Sequence, residues 1–167
     1  ATSVTSGVRL AHLVPDASVV DFCVAPAGGS FAASAPLFHA SPACPNGLAS
    51  LDVSAAIPLA SGSYDVRVVA AGAPCTGAAL ASASSVVVDK GVMTLLYAGA
   101  PVAPVVLALP EQLTGGVEEI RFVHAVAGAG PLDFGSTKPA LPTPLTSVVG
   151  TAIPFGGTLP PTPPGMM

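Results

Sequence analysis

Two stretches of this chain match one another without a gap. Residues 8–23 read VRLAHLVPDASVVDFC, and residues 120–135 read IRFVHAVAGAGPLDFG, at a constant offset of 112. Such a match indicates a supersecondary unit that occurs twice, and it constrains the fold more than any other feature of the sequence. We therefore expect the identical pairs to be structural positions of a repeat: Arg9/Arg121, His12/His124, Val14/Val126, Ala17/Ala129, Asp21/Asp133 and Phe22/Phe134.

The second occurrence of the unit is predicted to be incomplete. Ala56-Ile57-Pro58 matches Ala152-Ile153-Pro154 at an offset of 96, which removes 16 residues (112 − 96) from the second repeat, around His39 to Gly47. No counterpart of the strand that begins at Tyr64 follows, because four prolines within residues 158–167 exclude a central strand and favour an extended segment. The predicted organisation is a complete sandwich unit at 1–110, a linker at 111–117, a partial second repeat at 118–157 and a Pro-rich extended tail at 158–167.

Short strands explain the sequence better than helices do. The 18 glycines and 19 prolines interrupt runs that are rich in Ala and Val, and proline removes a helix donor and clashes with the preceding turn. Tyr64, Val66 and Val68 alternate with Asp65 and Arg67, which is the period of a half-buried strand. The predicted fold class is all-β, an immunoglobulin-like antiparallel β-sandwich with a partial second sandwich repeat.

Charge and hydropathy exclude two classes of partner. The net charge is −4 and the five Lys and Arg residues are scattered singly, whereas nucleic-acid binding needs a basic surface. The uncharged stretch 91–110 is long enough for a membrane span, but its prolines and glycines favour two strands, 92–98 and 102–109, joined by a turn. The expected partner is another protein, as in a homo-oligomer or a filament, with no nucleic acid and no transmembrane segment.

The composition also favours export. The chain begins with Ala-Thr-Ser, and it is poor in Lys and rich in Thr, Ser, Gly and Pro. A mature exported protein has these features, so we expect an extracellular or cell-surface location.

The block VRLAHLVPDASVVDFCV, followed by LASGSYDVRVVAAG and GVMTLLYAG, resembles a bacterial family of unknown function, DUF4397. Members typically pair R-x-x-H-x-x-P-D-A-x-x-V-D with L-x-x-G-x-Y-x-V-x-V. The resemblance covers residues 7–100 and, as the front of a second unit, 118–157. It implies an exported immunoglobulin-like or transthyretin-like sandwich, often in tandem, and no activity. The motif residues here are Arg9, His12, Pro15, Asp16, Ala17, Val20 and Asp21, then Leu59, Gly62, Tyr64, Val66 and Val68. In the second unit, Ala127-Gly128 replaces Pro15-Asp16.

The three cysteines are odd in number, which in an exported domain suggests one disulfide and one unpaired cysteine. The pairing of Cys23 with Cys75 is favoured because both lie in the part of the chain that resembles the family. The pairing of Cys44 with Cys75 is the alternative, and three free buried thiols are the arrangement for an intracellular protein.

The histidines and carboxylates have structural interpretations that are simpler than catalytic ones. His12 and His124 fall on apolar strand faces, and each is expected to be a core residue with a ring nitrogen bonded to the backbone. His39, in a loop, is a weak lead for a ligand. Asp21 and Asp133 are expected to bond a loop backbone or to pair with an Arg such as Arg9 or Arg121.

No spacing in the chain suggests a metal or a catalytic group. The sequence has no Cys-x-x-Cys, no calcium-loop run of aspartates and no Gly-x-Ser-x-Gly elbow. Asp16 follows Pro15 as a turn residue, and the carboxylate pair Glu118-Glu119 precedes a strand and is expected to be solvated. We therefore predict no enzyme activity, no metal and no cofactor.

Two functions remain as hypotheses. The first is a secreted or cell-surface structural or adhesive protein that self-associates through its incomplete second repeat, as a filament or surface-layer subunit would. The alternative is an extracellular ligand-binding module for polysaccharide or protein that uses loops at one end of the sandwich. The aromatic fraction of 5% and the absence of Trp weaken the alternative, since sugar sites usually rely on aromatic faces.

Overall fold

A computed structural model describes residues 6–38, 46–89, 91–100, 103–111, 122–136 and 147–159. These residues form an all-β protein with one short 3-10 helix at Phe31–Ala33 and no α-helix, which confirms the predicted class. None of the described residues belongs to a helix that could cross a bilayer. The strands are β1 Ser6–His12, β2 Val20–Pro26, β3 Ile57–Pro58, β4 Gly62–Ala70, β5 Ala81–Val88, β6 Gly91–Ala100, β7 Ala103–Glu111, β8 Phe122–Val123, β9 Leu132–Ser136, β10 Ser147–Ile153 and β11 Thr158–Leu159.

Two sheets make up the first part of the chain. The four-stranded sheet, which we call sheet A, has the order β3-β1-β6-β7, and the three-stranded sheet B has the order β2-β4-β5. All pairs in these sheets are antiparallel except β1 with β6, which run parallel from Ser6/Gly91 to His12/Tyr97. The predicted strands 92–98 and 102–109 fall in the β6–β7 hairpin, as the prolines and glycines indicated.

The main core lies between the two sheets. Strand alternation sends every second side chain of β1, β4 and β6 into it, so that the apolar residues of one face are buried together. Phe22 of β2 and Phe38 are among its largest buried side chains, and their rings lie edge-on with centroids 6.4 Å apart. Other members of this core are Val8, Leu10, Val14, Val20, Leu48, Val66, Val68, Val86, Val88, Met93, Leu95 and Tyr97.

The opposite face of sheet A is apolar as well. Ala11 of β1 lies there in a second buried cluster with Leu96, Ala98 and Leu109. Val123 and Ala125, from the second stretch of the repeat, pack against this cluster. The second stretch thus covers the outer face of sheet A, and this sheet is buried on both sides.

The described residues after 121 form two small sheets, β10-β9 and β11-β8, each antiparallel. Strand β11 extends pairing into Thr158 and Leu159, which were expected to begin the extended tail. The two small sheets do not by themselves make a second sandwich, so the partial second sandwich and the domain boundaries stay predictions. Of the predicted linker at 111–117, Glu111 is the last residue of β7, and residues 112–117 and 160–167 lie outside the described residues.

The predicted match of Ile57 with Ile153 is wrong. Ile57 pairs with Val8 of β1, whereas Ile153 pairs with Leu132 of β9, the counterpart of Val20. Val20 is bridged by Leu48, so the residue that corresponds to Ile153 is Leu48, at an offset of 105. A three-residue match in a chain so rich in Ala and Pro carries little information, while hydrogen bonds fix the register.

Further contacts agree with the offset of 105. Val53 bridges Ala11 in the first stretch, and Thr158 pairs with Val123 in the second. The second stretch is therefore seven residues shorter (112 − 105), instead of 16. The shortening still falls between β9 and β10, in the region that corresponds to the loop before Leu48.

Candidate functional site

The repeated histidines hold the turn that follows them. His12 Nε2 lies 3.1 Å from the Ser18 carbonyl oxygen, and its Nδ1 accepts from the Val14 N–H at 3.3 Å. His124 makes the same two contacts, with Gly130 at 3.1 Å and Val126 at 3.3 Å. Both rings are buried, and these contacts favour the neutral ring with its proton on Nε2, which donates to the carbonyl. The expectation of core histidines bonded to backbone is confirmed.

The backbone of each histidine joins a second turn. The His12 carbonyl accepts from the Leu51 N–H at 2.7 Å, and the His124 carbonyl accepts from the Gly156 N–H at 2.8 Å. Leu51 and Gly156 both have positive φ, 70° and 77°. The two turns therefore have the same conformation, although a leucine occupies one and a glycine the other.

The repeated aspartates bond backbone N–H groups: Asp21 bonds a loop residue, as expected, whereas Asp133 bonds Ala152, which lies in strand β10. Asp21 is buried, and its Oδ1 accepts from the Phe22 N–H at 2.7 Å and from the Phe38 N–H at 3.0 Å. Asp133 Oδ1 accepts from the Ala152 N–H at 2.7 Å. Each carboxylate thus fixes the chain segment that lies beside its own strand.

The remaining repeat positions have separate environments. Arg9 is half-buried and interacts with a neighbouring group, while Arg121 lies outside the described residues. Phe22 is in the main core, and its counterpart Phe134 stacks at a tilt on Phe122 with ring centroids 5.3 Å apart. The two stretches therefore share backbone geometry more closely than they share packing.

A disulfide joins Cys23 of β2 to Cys75, across a sequence separation of 52. This is the pairing favoured from the sequence, and Cys44 lies outside the described residues. The bond lies on the outer face of sheet B, in a small buried cluster with Ala25, Phe31 and Val69. It ties the loop after β4 to the edge strand of the sheet.

Beside the disulfide, sheet B carries a cleft of about 420 Å³. The Arg67 guanidinium lies over the Phe31 ring, 4.3 Å from its centroid, and Nη1 is 3.5 Å from the Cys75 carbonyl oxygen. Asp65 stands two residues before Arg67 on the same face of β4. The lining residues are Gly28, Gly29, Ser30, Phe31, Ala32, Asp65, Arg67 and Thr76.

Asp65 is held by the backbone on both oxygens. Oδ1 accepts from the Ser85 N–H and Oδ2 from the Gly28 N–H, each at 2.9 Å. These two donors, first Ser85 and then Gly28, hold the pKa of Asp65 below its ordinary value of 3.8, with a smaller contribution from Arg67. The carboxylate is thus ionised and fixed in place at neutral pH.

The cleft could have been found only in part from the sequence. Strand alternation places Asp65 and Arg67 on the outward face of β4, but nothing in their spacing brings the Gly28–Phe31 turn over them. No group of three or more His, Cys, Asp or Glu residues in the described ranges could hold a metal ion. His39, Glu118 and Glu119 lie outside those ranges.

A model of one protein family matches most of the chain. It is described as "Domain of unknown function (DUF4397)", and it matches residues 6–135 in one stretch. The chain belongs to the DUF4397 family. No curated protein and no solved structure gives a match.

The residues of the DUF4397 motif have structural roles in this chain. His12 fixes the turn, Asp21 fixes the neighbouring loop, and Asp16 takes the left-handed backbone of the turn with φ 55°. Gly128, at the position of Asp16 in the second stretch, has φ 79°. The turn thus keeps its shape where Ala127-Gly128 replaces Pro15-Asp16.

The DUF4397 match ends inside β9, one edge of which has no partner among the described strands. Its counterpart β2 pairs with β4 over seven residues, from Val20/Ala70 to Pro26/Tyr64. Strand β9 pairs only with β10 among the strands that the structure describes. The edge of β9 that corresponds to the β4 side of β2 therefore has no described partner.

Proposed function

We propose that this DUF4397 protein is an exported structural or adhesive protein of the cell surface, and that it self-associates by adding a strand of a second copy to the edge of β9 that has no described partner. The observation that carries the proposal is the contrast between β2, which pairs with β4, and β9, which has no described partner on that side. An unpaired edge offers N–H and C=O groups to another strand.

Two edge strands of the main sheets, β7 and β5, are protected against such pairing. Strand β7 has Pro104 and Pro110 near its two ends, and proline cannot donate to a ladder. Strand β5 has a register shift opposite Tyr64/Val66, and its Ser85 has a φ of 57°. Strand β9 contains neither a proline nor a bulged residue with positive φ, so its edge is the more receptive one.

Exposed apolar side chains in the second stretch also support self-association. The described residues after 121 are few, yet they hold five of the large hydrophobic residues that are exposed. These are Val126, Leu132, Val148, Val149 and Phe155. Exposed apolar side chains in this part of the chain favour association over a purely solvated role.

The test is light scattering coupled to size-exclusion chromatography over a range of protein concentrations. The wild-type chain is expected to form oligomers as its concentration rises. Leu132→Lys puts a charge on β9 at a residue that is only 36% exposed, and it is expected to shift the protein towards the monomer. The control is Val87→Lys, on the protected edge strand β5, which is expected to leave association unchanged.

Two results contradict the proposal. A wild-type chain that stays monomeric at every concentration excludes self-association. Equal loss of association in Leu132→Lys and Val87→Lys shows that general surface hydrophobicity, and not the edge of β9, drives it.

A second candidate function is binding of a ligand by a module of the sandwich. The cleft beside Arg67 favours it, because this cleft joins a loop at the end of sheet B to charged side chains on its face.

A further inference from the structure

The cleft on sheet B contains two opposite charges that do not neutralise one another by contact. Asp65 and Arg67 both line it, and no ion pair joins these two described residues. Alternate residues of a strand lie about 6.6–6.8 Å apart on the same face. An acidic and a basic group are thus displayed at a spacing that a small molecule can bridge.

Each of the two charges is fixed by other contacts. The Asp65 carboxylate is held by the N–H groups of Ser85 and Gly28, and its oxygens still have lone pairs for further donors. The Arg67 guanidinium is held by the Phe31 ring and by one long hydrogen bond to the Cys75 carbonyl. A guanidinium has five N–H donors, so most of those of Arg67 remain for a ligand.

The disulfide makes this arrangement rigid. Cys75 accepts from Arg67 and is itself bonded to Cys23, whose Cα partner across the ladder is Arg67. Arg67 therefore lies on a strand pair, and the loop residue that accepts its hydrogen bond is covalently bonded to the same pair. Charged groups that are ordered before binding lose little entropy when a ligand arrives.

We propose that the cleft binds a small zwitterion, with the carboxylate of the ligand on Arg67 and its ammonium group on Asp65. A free α-amino acid is the simplest molecule of this class. The Arg67 fork matches the two oxygens of a carboxylate, and the Asp65 carboxylate accepts from an ammonium group. The hydroxyl groups of Ser30 and Thr76 also line the cleft, and its volume is in the range of small-molecule sites.

The same geometry disfavours other ligand classes. A simple anion is repelled by the negative charge of Asp65, and a simple cation is repelled by the positive charge of Arg67. A neutral sugar needs an open aromatic face, and the Phe31 face that lines this part of sheet B is covered by Arg67. Only a molecule with both charges satisfies both side chains.

The experiment is an NMR titration of the disulfide-bonded chain with three probes of similar size: L-alanine, propionate and ethylamine. Propionate has only the carboxylate and ethylamine only the ammonium group. L-Alanine is expected to bind at least about ten-fold more tightly than either, because both charges contribute. Its chemical-shift changes are expected at Gly28, Ser30, Arg67 and Thr76.

Two variants test the role of Arg67. Arg67→Gln is expected to weaken L-alanine binding about ten-fold or more, and Arg67→Lys is expected to recover only part of the loss, because lysine keeps the charge without the fork. The wild-type shift map keeps the proposal testable if Arg67→Gln fails to fold. Equal affinity for L-alanine and propionate, or shift changes away from the cleft, overturns the proposal, as does unchanged binding in a folded Arg67→Gln.

Discussion

The described residues within 8–53 and within 120–158 build the same local structure in two different surroundings. Both have a histidine that bonds the carbonyl six residues later, a left-handed turn residue four positions after the histidine, and a second left-handed turn bonded to the histidine carbonyl. Their burial differs sharply: Val14 is 0% exposed and its counterpart Val126 is 58% exposed. Val20 is 1% exposed, whereas Leu132 is 36% exposed.

This difference in burial shows which interactions the repeated sequence forms without help from the rest of the chain. Hydrogen bonds within the stretch depend on nearby residues, so they occur in both places. Burial depends on strands that come later in the chain. Strands β4, β5 and β6 enclose the first stretch, and β6 supplies Tyr97, whose ring is 5.0 Å from that of His12. In the second stretch the neighbour of His124 is Phe155, at 6.2 Å.

The largest difference in stability between the two regions is expected from the disulfide. Only the first stretch has it, because Gly135 occupies in the second stretch the position that Cys23 occupies in the first. The double variant Cys23→Ala, Cys75→Ala is expected to lose about 3–4 kcal/mol of unfolding free energy, since the bond closes a long loop. Urea unfolding measures this loss. Wild-type protein under reducing conditions is the matched comparison, and a loss below about 1 kcal/mol in both contradicts the expectation.

Removal of each histidine compares the two stretches at equivalent positions. His12→Ala is expected to cost about 3 kcal/mol, because it leaves a cavity in the two-sheet core and removes the partner of the buried Val14 N–H and of the Ser18 carbonyl. His124→Ala is expected to cost about half as much, since its surroundings are more exposed. Chemical denaturation of both variants tests this ratio. A larger cost for His124→Ala shows that the second stretch is better packed than its exposed valines indicate.

Exchange of the turn residues is a smaller test of the correspondence between Leu51 and Gly156. Gly156→Ala is expected to cost about 1 kcal/mol, because the added Cβ stays 3.4 Å from Leu107 Cδ2 and the cost comes from positive φ. Leu51→Gly is expected to gain up to about 0.5 kcal/mol, since Leu51 is 72% exposed and loses little packing. Thermal unfolding of both variants measures the two effects, and a stabilising Gly156→Ala excludes the assigned backbone conformation.

The smallest effect is expected at Asp65, which has no counterpart in the second stretch. Its pKa is lowered in the folded state by the N–H groups of Ser85 and Gly28, so ionised Asp65 stabilises the fold above pH 3.8, and this contribution disappears as the pH falls through the lower folded pKa. Asp65→Asn is expected to be less stable than wild type at pH 6, and the difference is expected to shrink below about pH 4. Urea titrations at several pH values measure it, and a difference that does not change with pH contradicts the role.

The sequence predicted the strands and the disulfide because their signals are local or few. Alternation in β4 and the prolines of the β6–β7 hairpin restrict the backbone directly, and three cysteines allow few pairings. The histidine contacts followed from their place on an apolar strand face. Each of these predictions used residues that are close together in the chain or rare in it.

The register between the two stretches and the cleft could not be predicted in this way. The offset of 105 is visible in hydrogen bonds, while the residues involved, Leu48 to Val53 and Ile153 to Thr158, have little sequence in common. The cleft depends on the Gly28–Phe31 turn folding over β4, and this contact joins residues far apart in the chain. Sequence patterns describe faces of strands, but they do not specify which loop covers a face.

Because sheet A is buried on both faces, the β6–β7 hairpin contributes side chains to two apolar clusters, one on each face. Leu95 of β6 points into one cluster and Leu96 into the other. Loss of this hairpin exposes both clusters at the same time, so neither region can lose its packing while the other keeps it whole. We therefore expect the two regions to unfold in one cooperative transition, in spite of their unequal burial.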